Sequence, residues 1–112
     1  MIATTTAFWM AFFDPEDPKH SKARSDVLVF DRERILVSQL VAAEVVLWLD
    51  EKKKHKEWFL DYVQNTANTR IFHFGKEEFS KIAEISSKSH LSLAEASVEY
   101  LRTELNCDVT EY

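Results

Sequence analysis

The chain has 112 residues, of which 46% are hydrophobic, 12% aromatic and 29% charged, so it is long enough for one domain with a packed core and too short for two. Its single glycine, Gly75, excludes glycine-rich phosphate-binding loops and the glycine-flanked serine elbow. Its single cysteine, Cys107, excludes a disulfide framework and a zinc site built from several cysteines. Carboxylates, hydroxyls and four histidines remain as the groups available for chemistry.

The net charge of −5 is unevenly distributed, because residues 77–112 hold eight acidic and three basic side chains. Contacts to nucleic-acid phosphates need a basic surface, so this balance argues against a nucleic-acid binder and leaves only a local basic patch open. The longest early apolar run, residues 7–13, is too short to cross a bilayer and follows no basic leader. Together with the single thiol, these features predict a soluble cytoplasmic protein without a membrane partner.

Strand-like and helix-like patterns alternate along the chain. Short β-branched and apolar runs predict strands, and apolar residues spaced three and four apart predict helices. In chain order, the predicted elements are a strand over 2–6, a helix over 7–13, a surface turn over 14–19, a helix over 20–30, a charged break over 31–34, a strand over 35–37, one long helix over 40–63, a strand over 71–74, helices over 76–89 and 92–105, and a last strand over 107–110. Parallel strands need crossover connections, so this alternation predicts an α/β fold with three layers, α/β/α, around a short parallel sheet. Functional sites of such sheets lie beyond the carboxyl ends of the strands.

Glu44 stands out because its neighbours three and four positions away on the predicted helix are all apolar: Leu40, Val41, Leu47 and Trp48. A charged carboxylate on a core-facing surface is costly unless a cation, a metal or a proton neutralises it. We therefore expect Glu44 to be buried and neutralised. Two structural explanations are open for Glu44: an ion pair with an arginine, or a position at the edge of the helix face. A functional role is equally open.

Glu95 follows Ser92 by three residues where a helix is predicted to begin. Ser-Leu-Ala-Glu is the pattern of a capping box, in which the serine accepts from an amide of the first turn and the glutamate accepts from the serine amide. Local sequence favours this role over any other. Glu95 also lies at the margin of an apolar helix face, near Leu91 and Val98, so it can point toward a cleft.

The other candidate groups favour structural roles. No histidine has a partner at the spacing of metal ligands. The lysines between residues 52 and 56 alternate with acids, which is typical of a solvated helix face; a patch for RNA phosphates is the less favoured interpretation. The tryptophans are expected to fill the core or an interface rather than to stack on bases. These groups are His20, His55, His73, His90, Lys52, Lys53, Lys54, Lys56, Trp9, Trp48 and Trp58.

Three stretches of the chain resemble, in their order and spacing, the PIN domain, the fold shared by toxin nucleases of the VapC type and by several RNA-processing nucleases. The first is IATTTAFW over residues 2–9, followed by DPEDPKH over 14–20; the second is ILVSQLVAAEV over 35–45; the third is LSLAEAS over 91–97. The resemblance covers nearly the whole chain and implies a single PIN-like domain over residues 1–112. It also implies a cluster of acids at the carboxyl edge of the sheet that holds magnesium or manganese for RNA hydrolysis.

Compared position by position with the family's metal site, this chain has two of the expected acids and lacks two. Glu44 matches the family's helix glutamate, and Glu95 matches the acid after the Leu-Ser-Leu stretch. The aspartate of the first strand falls at Thr4, and a further acid falls at Tyr112, neither of which is acidic.

We therefore expect an incomplete site. Glu44 and Glu95 would bind the metal, with Thr4 or Thr6 adding an oxygen or orienting water, so that magnesium or manganese is bound weakly. Two acids are candidates to replace the one missing at position 112. They are Glu111, if the match is shifted by one residue, and the nearby Asp108. The chain also ends before the last helix and strand of the family, which is expected to expose an edge or apolar surface and to favour a homodimer or another partner.

Three functional hypotheses follow. The favoured one is a PIN-like protein that is weak or inactive as a nuclease and acts through protein or RNA binding, with an antitoxin-like protein as the partner that the resemblance implies. The alternative is a magnesium- or manganese-dependent endoribonuclease of the VapC toxin type. The third is an α/β domain of unrelated ancestry, in which Glu95 is only a helix cap and Glu44 only a member of an ion pair. This third hypothesis predicts that the two carboxylates lie far apart, whereas the other two predict a shared cleft.

Overall fold

A computed structural model describes residues 1–30, 32–110 and 112 of the chain. Two predicted features, Asp31 in the charged break and Glu111 as a substitute acid, lie outside the described residues. In chain order, the helices and strands are β1 (Ile2–Ala3), α1 (Thr6–Phe13), α2 (His20–Phe30), β2 (Ile35–Ser38), α3 (Gln39–Lys52), α4 (Lys56–Asn65), β3 (Thr69–Phe72), α5 (Lys76–Ser89), α6 (Leu93–Glu104) and β4 (Asp108–Val109).

The four strands form one parallel sheet in the order β3-β2-β1-β4. Ile2 pairs with Ile35 on one side of β1 and with Asp108 on the other. Along the chain, β2 and then β3 are added on one side of β1. The chain then crosses to the other side of β1, where β4 lies. Because such crossovers are right-handed, the helices before and after β3 cover opposite faces of the sheet. This arrangement is the predicted three-layer α/β/α fold.

Helix α1 is apolar on nearly every side because other helices surround it. The Phe8 ring lies 5.5 Å from that of Phe30 in α2, and the Trp9 ring lies 5.1 Å from that of Phe59 in α4. Both α1 residues are fully buried. Since aromatic side chains bury large apolar areas, this cluster is a large part of the core and fixes α1 beneath the carboxyl end of β1.

The prediction of one long helix over residues 40–63 is wrong, because the structure has two helices there, α3 and α4, separated by a turn. Lys53 and His55 both adopt left-handed backbone conformations, with φ of 57° and 65°. The Lys53 and Lys54 amides bond to the carbonyls of Asp50 and Leu49, which closes α3. No apolar side chain occupies residues 51–57, so nothing packs this stretch against the core in helical form.

Strand β3 begins two residues earlier than predicted, and β1 is shorter than predicted. Thr69, rather than Ile71, pairs with Ile35 at the start of β3. After this strand the Phe74 amide donates to the side-chain oxygen of Gln39 instead of joining the sheet. The predicted bounds of α2 and α5 are confirmed. In the described part of the chain, no helix is both long and apolar enough to cross a bilayer.

Candidate functional site

A cavity of about 880 Å³ opens at the carboxyl ends of β1 and β4 and extends along α6. We call it the acidic cleft. Thr6 of α1, Glu44 of α3 and Glu95 of α6 all line it. The structure therefore brings together the two glutamates that the sequence analysis singled out, at the edge of the sheet where parallel α/β folds place their sites.

Glu44 is exposed on the cleft wall, so the prediction of a buried, neutralised carboxylate is wrong. Its apolar neighbours misled the prediction because they do not all face the core: Leu47 is 61% exposed, and Leu40 and Trp48 are only partly buried. Among the described residues, Glu44 has no ion-pair partner. Its carboxylate is thus free to meet a ligand from solvent.

Glu95 forms the predicted capping box at the start of α6. Its Oε1 accepts from the Ser92 amide at 3.0 Å, and its own amide donates to Ser92 Oγ at 3.1 Å. The side chain is exposed and still lines the acidic cleft. One oxygen of this carboxylate is therefore engaged by the cap, while the second has no recorded partner in the described structure.

A buried pair of serines joins the two helices that carry these glutamates. Ser38, at the end of β2, caps α3 by accepting from the Leu40 and Val41 amides at 3.1 and 3.4 Å. Its Oγ lies 2.6 Å from Ser97 Oγ of α6, and Ser97 donates to the Ala94 carbonyl. The Ser97 proton is thereby used, so Ser38 donates to Ser97. Both side chains are fully buried, and the pair holds α3 and α6 in register beneath the cleft.

Thr4 and Thr6 lie in different environments. Thr4 is 1% exposed, and its Oγ1 accepts from Trp9 Nε1 at 2.9 Å. Thr4 is not among the residues that line the acidic cleft. Thr6 lines the cleft, and its buried Oγ1 has no hydrogen-bond partner among the described residues. Of the two threonines predicted to assist a metal, only Thr6 therefore lines the cleft, and its hydroxyl oxygen is buried rather than open to the cavity.

Tyr112, where the resemblance expects an acid, is part of the cleft wall and is anchored to α2. Its hydroxyl donates to Asp26, whose other partner is Lys22 at 2.9 Å. Burial opposes ionisation of Asp26, but the hydrogen bonds from Tyr112 and Lys22 outweigh it and hold the pKa of Asp26 below its ordinary value. Burial, and then the bond to Asp26, raise the pKa of Tyr112.

The remaining charges leave the cleft acidic. Glu99 and Arg102 of α6 pair with each other, with Arg102 Nε donating to Glu99 at 2.9 Å. This hydrogen bond holds the pKa of Glu99 below its ordinary value. Asp108 also lines the cleft and is exposed. With Arg102 matched by Glu99, the described wall carries the carboxylates of Glu44, Glu95 and Asp108 without a basic partner.

These residues do not fit a dedicated magnesium site. Magnesium requires near-octahedral oxygen coordination with short, well-directed bonds. Among the described residues, no three or more acidic, histidine or cysteine side chains are grouped closely enough to hold a metal. The Thr4 hydroxyl is engaged by Trp9, and one oxygen of Glu95 is engaged by Ser92. The described part of the cleft therefore offers fewer grouped acidic ligands than such a site needs.

Three features of the site were missed in the sequence: the Ser38–Ser97 pair, the Thr4–Trp9 bond and the Tyr112–Asp26 bond. The position of Ser38 between a strand and a helix is a recognisable capping signal. The partners of the hydroxyls could not be predicted, because they depend on tertiary packing.

Comparison with known proteins supports the predicted fold. No model of a known protein family matches the sequence, and no curated protein matches it. Among solved structures, the chain is similar to the toxin VapC20 of Mycobacterium tuberculosis, described as cleaving the Sarcin-Ricin loop. The TM-score is 0.79 at 15% sequence identity, covering 96% of this chain and 85% of that toxin. The predicted PIN-like fold is therefore confirmed: this chain has the fold of the VapC20 PIN-domain toxin.

Proposed function

We propose that this chain is a PIN-fold binding protein whose acidic cleft accepts a cationic segment of a protein partner, and that it is weak or inactive as a nuclease. The observation that carries the proposal is the exposure of Glu44 and Glu95 on one cleft, without a cation partner among the described residues. Unpaired carboxylates in a concave site attract a positively charged ligand.

The chemistry of the cleft also favours a particular kind of segment. Its wall includes the apolar side chains of Met10, Leu91 and Val98 beside the carboxylates. An amphipathic helix with lysine or arginine along one margin would pair its charges with the glutamates and its apolar face with this wall. An RNA backbone would instead meet uncompensated negative charge. An antitoxin-like protein is the partner class that the fold suggests, and a second copy of the chain remains a further prediction.

The weakness as a nuclease is inferred from the use of the side chains. Thr4 stands where the resemblance expects a carboxylate, and its hydroxyl is engaged by buried Trp9. Tyr112 stands at the other expected acid and donates to Asp26. Displacement of reacting groups by about 1 Å can reduce a rate roughly a hundredfold, so a site lacking two of its expected carboxylates is expected to be a poor catalyst.

A peptide titration tests the proposal. The probe is a fluorescein-labelled helical peptide with arginines along one margin and leucines along the other, followed by fluorescence anisotropy. We expect the wild-type chain to bind it and the Glu44→Gln/Glu95→Gln variant to bind about tenfold more weakly. Glu77→Gln, which neutralises an exposed glutamate outside the cleft, is the matched control. Equal affinity of wild type and double variant would overturn the proposal.

The alternative, a magnesium- or manganese-dependent endoribonuclease, is favoured by the shared cleft that Glu44 and Glu95 both line. Incubation of single-stranded and stem-loop RNA with the purified chain and each metal distinguishes the two functions. We expect no turnover. Metal-dependent cleavage by the wild type that is abolished by Glu44→Gln would establish the endoribonuclease in place of the binding protein.

A further inference from the structure

One short segment after α6 forms the strand-side wall of the acidic cleft. Residues 106–109 and Tyr112 all line the cavity, and we call them the strap. Within the strap, β4 lies at the edge of the sheet and pairs with β1 through two residues. So short a ladder contributes little to holding the strap in place, so its other contacts decide how firmly it is attached.

The strap begins at a backbone turn. Asn106 adopts a left-handed conformation, with φ of 53°, directly after Leu105, the residue that caps α6. Asparagine tolerates this conformation better than most residues other than glycine. The Leu105 and Cys107 amides both donate to the Leu101 carbonyl, at 3.1 and 3.3 Å, which closes the helix. Hinge motions are absorbed by a few residues at the end of an element, and Asn106 occupies such a position.

Tyr112 fastens the other end of the strap to α1 and α2. Its hydroxyl donates to Asp26, and its ring lies edge-on to that of Phe8 at a centroid distance of 5.1 Å. The ammonium groups of Lys22 and Lys19 lie over the ring, 4.3 and 5.8 Å from its centroid. Lys22 also pairs with Asp26 at 2.9 Å. One side chain thus makes a charge-assisted hydrogen bond, an aromatic contact and cation–π contacts. We call these contacts the latch.

The Tyr112 ring is not enclosed by the surrounding side chains. Tyr112 is half-buried and borders two cavities. One is the acidic cleft, and the other is a smaller cavity of about 270 Å³ that Pro18 and Lys19 also line. Because these cavities leave the ring room to move, the directed contacts of the latch hold it in place, rather than steric confinement.

We propose that the strap opens as a unit about Asn106 while the rest of the fold stays intact, and that the Tyr112 latch sets how often it opens. In the latched state the strap completes the acidic cleft. In the open state the cleft loses its strand-side wall, and Asp108 moves away from Glu44 and Glu95. Contacts on α2 thereby control whether the cleft is complete. The proposal concerns the frame of the cleft and holds whichever ligand the cleft accepts.

The single cysteine of the sequence reports on this opening. Cys107 is 3% exposed, and burial raises the pKa of its thiol, so a maleimide meets a reactive thiolate chiefly in the open state. The labelling rate is measured by mass spectrometry with excess maleimide at fixed pH. We expect Tyr112→Phe, which loses the bond to Asp26, to react roughly fivefold faster than the wild type. Tyr112→Leu also loses the ring contacts and should react roughly thirtyfold faster.

Tyr100→Phe is the matched control, because the Tyr100 hydroxyl also donates to a carboxylate, that of Glu78 at 3.5 Å, but Tyr100 does not line the acidic cleft. We expect this variant to react like the wild type. Urea below the unfolding transition separates strap opening from global unfolding. Opening exposes little surface, so the labelling rate should barely change with urea. Wild-type rates in both Tyr112 variants, or a labelling rate that rises with urea in step with global unfolding, would overturn the inference.

Discussion

The helix side and the strand side of the acidic cleft use their polar groups in opposite ways. On the helix side, Glu44 and Glu95 extend into solvent from α3 and α6, above the buried Ser38–Ser97 pair. On the strand side, Tyr112 of the cleft wall and Thr4, which is buried and does not line the cleft, hold hydrogen bonds to other parts of the protein. The comparison teaches that the number of polar residues near a cleft does not determine its ligand capacity, because a hydroxyl already bonded internally must lose that bond before it can serve a ligand.

The largest expected effect comes from placing a carboxylate on the strand side. Thr4→Asp introduces a charge at a position that is 1% exposed, and we expect it to reduce the free energy of unfolding by about 3 kcal/mol. Thr4→Asn has the same shape without the charge and should cost less. If the added carboxylate completes a cation site, manganese will stabilise Thr4→Asp more than the wild type. Urea denaturation with and without manganese checks this; equal costs and equal manganese responses for both variants would contradict it.

A second comparison uses the two threonines. Thr4→Val removes the acceptor of the buried Trp9 N–H, and we expect a loss of about 2 kcal/mol in unfolding free energy. Thr6→Val makes the same change at a buried hydroxyl without a partner among the described residues, so we expect no loss or a small gain. Urea unfolding of both variants gives the difference. Similar losses for the two would show that the Thr4–Trp9 bond has no special role.

On the helix side, the serine pair should behave as a coupled unit. Ser38→Ala and Ser97→Ala each leave a buried hydroxyl without its partner, and we expect a coupling free energy of about 1 kcal/mol in a double-mutant cycle. Ser80→Ala, on the exposed surface of α5, is the control and should be nearly neutral. Additive losses in the cycle would mean that the pair does not join α3 to α6 energetically.

The smallest effect concerns Tyr112 and pH. The folded pKa of Asp26 is below its ordinary 3.8, so its contribution to stability is present above that value and is lost as pH falls through the folded pKa. Tyr112→Phe removes one donor and should reduce this acid-dependent loss, by about 1 kcal/mol or less. For Tyr112 the pKa is raised above its ordinary 10.0, so its contribution is present below pH 10.0 and is lost as pH rises further. Urea midpoints across both ranges check the two signs; identical pH profiles for variant and wild type would contradict them.

The sequence was sufficient for the order of most elements, because apolar spacing and chain breaks are local signals. The bounds of α2 and α5 and the capping box of Ser92 and Glu95 follow from such signals. The interruption after Lys52 was missed because a run of lysines and glutamates is compatible with a solvated helix.

The candidate site was only partly predictable for a different reason. The order of the motifs led to Glu44 and Glu95, but the exposure of Glu44 depends on how α3 is rotated against its neighbours. The partners of Thr4 and Tyr112 depend on packing between distant segments, which no local pattern records. Their functional roles remain predictions.

The pairing of β1 with β4 has a kinetic consequence. Ile2 lies opposite Asp108, so the first and last strands meet only when the ends of the described chain come together. Closing so long a loop is entropically costly, and the closure forms only two residue pairs between the strands. We therefore expect β4 to dock late in folding and to detach early in local opening. Amide hydrogen exchange should then be faster at Val109 than along β2, making the cleft a feature of the last-assembled part of the molecule.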